Sequence, residues 1–172
     1  MFNLQLFTEA IQGKKIVYLY RVEENSATDA GELIAFVTDN ENSASVDADT
    51  TQTKDGSIRT PGAPEIEITS TSILTRQDTM IDKLKNAMLN NKLVECWEAN
   101  LDEPVDGAEN QFKGTYYQGY ITEVSISAGA EDFTEVSITY GANGVGAKGN
   151  VTVTVEQQET AAYVFTDTTA KS

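Results

Sequence analysis

Thr53-Lys54-Asp55-Gly56-Ser57-Ile58-Arg59-Thr60-Pro61-Gly62-Ala63-Pro64 carries two of the strongest turn signals in the chain, Asp55-Gly56 and Pro61-Gly62. Asp-Gly suits a turn whose central residues have positive φ; Pro-Gly suits one with φ preset and then reversed. On one side, residues 39–52 are nearly all Asn, Asp, Ser, Thr and Ala, with Val46 the only large apolar side chain. On the other, in residues 65–74, Ile66 and Ile68 alternate against Glu65, Glu67 and Thr69, the pattern of a strand. Residues 39–62 therefore read as a long polar loop or hairpin. A strand that is polar on both faces cannot be fixed by burying one of them, so such a segment needs a partner surface.

Working outward, residues 14–22 form a strand with Ile16, Tyr18, Tyr20 and Val22 on one face and Val17 and Leu19 on the other. Both faces are apolar, which places it inside a sheet or between layers. Residues 33–38 read as a short strand. Asp78 or Thr79 can cap a helix over about 79–90, whose apolar stripe is Met80, Ile81, Leu84, Ala87 and Met88. Residues 93–101 form a strand carrying Cys96 and Trp97, and residues 116–127 another in which Tyr120, Val124 and Ile126 share a face. Residues 133–140, with Val136 and Ile138, follow as its hairpin partner. Four glycines within 141–149 predict a flexible loop. Val151, Val153 and Val155 then alternate with polar residues as a half-buried strand. A short helix over 156–165 closes the pattern. Residues 1–12 read as an apolar arm and residues 166–172 as a frayed end.

Seven or eight strands, short connections and one clear helix predict a mainly β chain: a single antiparallel sandwich or barrel spanning 1–172 with a flanking helix. Its expected core is Ile16, Tyr18, Tyr20, Ile81, Leu84, Met88, Cys96, Trp97, Tyr120, Val124, Val136, Ile138 and Val153.

The composition excludes much. The chain has 172 residues, a net charge of −15, one cysteine and no histidine. An internal disulfide is impossible, and so is chemistry that needs a histidine base or ligand. So acidic a chain repels nucleic acid rather than gripping it. Gly141-Ala142-Asn143-Gly144-Val145-Gly146 lacks the spacing and following helix of a phosphate-binding loop. Asp39, Glu41, Asp47 and Asp49 lack the glycine and distal glutamate of an EF-hand. Glu65 and Glu67 share a strand face but have no apolar pocket to raise a pKa as a glycosidase acid requires. Cys96 reads as a core thiol. No catalytic set, metal site or cofactor site emerges. Trp97, Tyr116, Tyr117 and Tyr120 leave room for a second reading, a monomeric β-sandwich that binds carbohydrate or a receptor.

Several segments taken together resemble a known family. They are Gly13-Lys14-Lys15-Ile16, Thr53–Gly62 (through Lys54, Asp55, Gly56, Ile58, Thr60 and Pro61), Val94-x-Cys96-Trp97-Glu98-Ala99-Asn100-Leu101, Tyr117-Gln118-Gly119-Tyr120 and Tyr163-x-Phe165-x-Asp167-Thr168-Thr169. In this order and spacing the chain is similar to the major tail proteins of long, non-contractile-tailed bacteriophages of Gram-positive hosts. The resemblance implies a tail-tube β fold and a structural subunit of the virion tail, assembled in the host cytoplasm. Further implied are homohexameric rings stacked into a hollow tube, contacts with other tail proteins, and double-stranded DNA as passing cargo only, with no membrane involved. Ring stacking is then expected of the N- or C-terminal arm and of the polar segment 39–62, through Asp47, Asp49, Lys54, Asp55, Gly56, Arg59, Pro61 and Gly62.

Overall fold

In the computed structural model, which describes residues 12–76 and 78–162, an eight-stranded antiparallel sheet carries two helices. The strands are β1 (Ile16–Val22), β2 (Glu32–Leu33), β3 (Val37–Thr53), β4 (Gly56–Ile73), β5 (Val94–Pro104), β6 (Gln111–Ser127), β7 (Glu135–Ala142) and β8 (Ala147–Thr152). The helices are α1 (Thr79–Leu89) and α2 (Val155–Ala162). The strand order is β2-β1-β5-β6-β7-β4-β3, and β8 joins β6. Gly119 pairs with Val94 of β5 and with Ala142 of β7, so these lie on opposite edges of β6. Beyond the Asn143–Gly146 turn, β8 resumes on residues 111–116 of β6. The glycine-rich segment is thus two strands and a tight turn, with Gly144 and Gly146 at φ +74° and +77°.

The side-chain alternation of β1 divides the molecule. Tyr18, Tyr20 and Val22 enter the larger core with Cys96, Val94, Ile68, Val136, Ile138 and Tyr140. The apolar stripe of α1, Met80, Ile81, Leu84 and Ala87, seals that core, with Met88, Ile16 and Val124 partly buried around it. Asp78 caps α1 by accepting from the Met80 and Ile81 amides. Burying a side chain such as Leu84 contributes about 2 kcal/mol. On the other side Val17, Leu19, Ala99, Phe112, Val151 and Val153 form a second core, with Trp97 half-buried against it.

The sheet curls so that distant strands share an interior. Tyr20 Oη lies 2.9 Å from Ser70 Oγ of β4, Tyr140 Oη donates to the Val94 carbonyl at 3.0 Å, and Asn42 of β3 reaches Glu98 of β5 and Tyr117 of β6.

Three expectations need correction. The strand over 33–38 breaks at Phe36, whose φ of +53° turns the chain between β2 and β3. Tyr120 is not core: it is 43% exposed. The register of β6 shifts between Ile121 and Glu123, so Tyr117 and Ile121 before the bulge share the core face with Val124 after it. Tyr120 falls on the outer face, away from Val124, and Ile126 is 50% exposed. Val155 is also exposed, because it opens α2 instead of extending β8. The N-terminal arm over 1–12, apart from Gln12, and the frayed end over 166–172 lie outside the described residues.

Candidate assembly surface

The 39–62 segment is a hairpin, and it runs past the rest of the sheet. The β3–β4 ladder extends from Val37 opposite Ser72 to Thr53 opposite Gly56. Strand β7 supports β4 only as far as Ile66, which pairs with Ala142. Beyond that row the two strands continue alone for about 30 Å, at the usual rise per residue. Every residue from 41 to 65 is exposed.

Both turn signals act, though not as two turns. The hairpin loop is Lys54-Asp55, one residue earlier than the Asp55-Gly56 centre, and neither residue has positive φ; Gly56 follows at φ +134°. Thr53 Oγ1 donates to the Gly56 carbonyl at 2.6 Å. Pro61-Gly62 lies within β4. Val46 faces Pro64 and Ala48 faces Pro61, so β4 carries one extra residue there, a β-bulge. Proline is tolerated at such a place because the ladder is already interrupted. A Cβ on Gly62 would stand 3.2 Å from the Asp47 carbonyl oxygen, which favours glycine at the bulge.

Pairing assigns each arm residue to a face. Ala44, Val46, Ala48 and Thr50, with partners Ile66, Pro64, Pro61 and Arg59, continue the face that lines the interior below. This side of the arm is small and apolar, with Arg59 as its charge. Asp47, Asp49, Glu65 and Glu67 belong to the other side, with Ile58 near the tip.

That acidic side continues across the outer face of β6, β7, β4 and β3. One row reads Glu41-Thr69-Thr139-Glu123, the next Asp39-Thr71-Ser137-Ser125, and a third Ser43-Glu67-Gly141-Tyr120. Paired carboxylates face Ser, Thr, Gly or, for Glu135 on β4, Ile73 across the ladder, so like charges do not stand directly opposite one another. Three strand spacings put Glu41 and Glu123 about 14 Å apart, beyond the roughly 8 Å screening length at physiological salt. The ion pairs of the described residues lie elsewhere: Arg21–Glu95, Lys83 with Asp29 and Glu32, and Lys92–Glu24. Lys54 and Arg59 take part in none of them.

The other candidates resolve into structure. Trp97 and Tyr116 pack with centroids 5.4 Å apart and planes tilted by 40°, and the Arg21 guanidinium lies 4.9 Å from the Trp97 ring centroid. Tyr116 Oη donates to Glu95 at 2.7 Å, and Tyr117 is buried, so the aromatics form no open platform. Cys96 is fully buried, and burial pushes its thiol well up. Glu65 and Glu67 are both exposed. Among the described residues no cluster of three metal-ligating side chains occurs, and no helix is long and apolar enough to cross a membrane.

The family model for phage tail tube protein matches residues 10–148. The chain belongs to the phage tail tube protein family. This tail tube subunit is 29% identical over 157 residues to a putative tail protein of Staphylococcus phage phiMR25, covering 89% of this chain and 80% of that protein. Its fold is similar to that of the SPP1 tail tube, with TM-score 0.71, 21% identity and coverage of 86% of this chain and 84% of the other. It is also similar to the tail of a gene transfer agent particle refined with C6 symmetry, at TM-score 0.61, 12% identity and 80% and 98% coverage. A tail tube subunit is a structural component of the virion tail, and its role is structural rather than catalytic.

The sequence located the hairpin but not its two faces. The signal was there in the alternation of Ala44, Val46 and Ala48 against Ser45, Asp47 and Asp49. Its phase means nothing until the neighbouring strands are known.

Proposed function

We propose that this tail tube subunit assembles into homohexameric rings that stack into a hollow tube, with its hydroxyl- and carboxylate-bearing sheet face turned to the lumen. The observation that carries the proposal is the uninterrupted outer face of β6, β7, β4 and β3. It presents Asp39, Glu41, Glu67, Glu123 and Glu135, all exposed, among Ser, Thr and Gly, with Tyr120 and Ile73 as its large side chains. A wall of small hydroxyls and spaced carboxylates repels phosphate and offers few groups that grip it, so double-stranded DNA passes without sticking. The C6 symmetry of the gene transfer agent tail, a protein of similar fold, supports six subunits per ring.

The arm is the ring-stacking element in this reading. Its ribbon has two open edges, and pairing or covering them on a neighbouring subunit removes the hazard of exposed edges. Asp47, Asp49, Lys54, Asp55, Gly56, Arg59, Pro61 and Gly62 all lie on it or at its tip. Other tail proteins cap the tube at its ends, and assembly takes place in the host cytoplasm.

Deletion of residues 43–57 tests this. The expected product is a folded subunit with an unchanged far-ultraviolet β signature that forms no long tubes in electron micrographs. Tubes of normal length would overturn the proposal.

A further inference from the structure

An open groove of about 800 Å³ lies between β1, the turn joining β2 to β3, and α2. Its walls are apolar, from Ile16, Leu33, Ile34 and Phe36, and its polar groups include Tyr18 and Glu98. Glu98 is the carboxylate it shares with the interior, and no Lys or Arg of the described residues lines it. Tyr18 Oη and Asn42 Nδ2 both donate to Glu98 Oε2, which leaves Glu98 Oε1 without a hydrogen bond among the described residues.

Phe36 makes the groove more than a gap. Its φ is +53° and it is 59% exposed. A bulky side chain in the left-handed region is strained, and here little burial compensates for it. The turn is held in place: the Ala35 amide donates to Asp78 Oδ2 at 3.3 Å, and the Phe36 carbonyl accepts from the Ile73 amide at 3.1 Å. The α1 cap thus fixes an aromatic ring out over an apolar-walled groove that holds Glu98. Such an arrangement suits an occupant that brings apolar surface and a cation.

The interior-continuing side of the arm has both. Val46, Ala48, Pro61 and Pro64 give a narrow apolar strip, and Arg59 sits on it without an ion partner among the described residues. No arm residue past Asn40 lines the groove of its own subunit. We propose that the groove seats the apolar side of the arm of a second copy, with Phe36 as the anchor and Glu98 Oε1 as the acceptor for Arg59. This rests on the arm being the contact between stacked rings.

Phe36→Asn separates an interface role from a folding role, because asparagine tolerates left-handed φ better than phenylalanine. Its expected thermal midpoint equals or exceeds that of the wild type, while the subunit concentration needed for tubes rises about tenfold or more. Arg59→Glu, on the exposed arm, is expected to raise that concentration similarly with an unchanged midpoint. In addition, Thr38→Cys with Thr50→Cys should give a ladder of disulfide-linked multimers when assembled material is oxidised, and neither single variant should. Tube formation by Phe36→Asn or by Arg59→Glu at the wild-type concentration overturns the proposal, as does oxidised double-cysteine tube material without a ladder. If these variants assemble normally while deletion of 43–57 stops assembly, the arm keeps its role and the groove loses its own. Normal tubes from the deletion overturn both.

Discussion

Asn42 Nδ2 donates to Glu98 Oε2 at 2.8 Å across the interior, joining β3 at one end of the strand order to β5 near the other. The same amide lies 3.3 Å from Tyr117 Oη. With Tyr20–Ser70 and Ser70–Asn40, it ties the root of the arm to the core. Asn42→Ala removes a hydrogen bond to a charged acceptor at a partly exposed site and should cost about 1 kcal/mol. Urea unfolding measures the loss. Hydrogen exchange should rise first in residues 37–44.

Two glycines are required by contact rather than by φ. A Cβ on Gly119 would lie 2.0 Å from the Gly141 carbonyl oxygen, and one on Gly114 2.0 Å from that of Glu98. Neither backbone can yield without parting β6 from its neighbour. Gly119→Ala and Gly114→Ala should each destabilise by about 3 kcal/mol or more. Gly149→Ala, with open space around it, should be nearly neutral in the same denaturation series.

Glu95 governs an acid-dependent share of stability. Burial raises its pKa, but hydrogen bonds from Arg21 Nε at 2.6 Å and from Tyr116 outweigh that and hold it below the usual carboxylate value. A carboxyl lowered in the folded state adds stability above its unfolded pKa, and this is lost as pH falls through the folded one. Glu95→Gln should therefore melt below the wild type at neutral pH. The two melting temperatures should converge as pH drops below about 4.

Reversing charge on the proposed luminal face should change how the tube treats DNA. Glu41→Lys with Glu123→Lys places cations at both ends of one row, where each has only threonine beside it. Tubes of this variant should retain DNA at low salt and release it as salt rises. Wild-type tubes should retain none at either salt, as read by co-sedimentation.

Most of the β architecture was legible because the core strands alternate apolar and polar residues. Tyr18, Tyr20 and Val22, and Val136, Ile138 and Tyr140, give the period of two directly. The α1 stripe and its Asp78 cap were equally plain. Tyr120 departs from the simple alternation because the bulge after Ile121 reverses the phase along β6, and no residue type there announces a bulge. Phe36 was hidden for a related reason: a phenylalanine inside Leu33-Ile34-Ala35-Phe36-Val37 promotes a strand, and tertiary bonds to Asp78 and Ile73 override it. The arm was legible as a polar element in need of a partner. The phase of its alternation between an apolar and an acidic side was not, because that depends on which face of β4 packs on the core.

From Lys54 to the Ser70–Asn40 bond the arm has no hinge loop, only the bulge between Val46 and Ala48. A load applied at the tip is carried as bending along a single ribbon into the floor of the core, with the bulge at Gly62 as the one compliant joint. Whatever holds the tip also stiffens the body to which it is rooted.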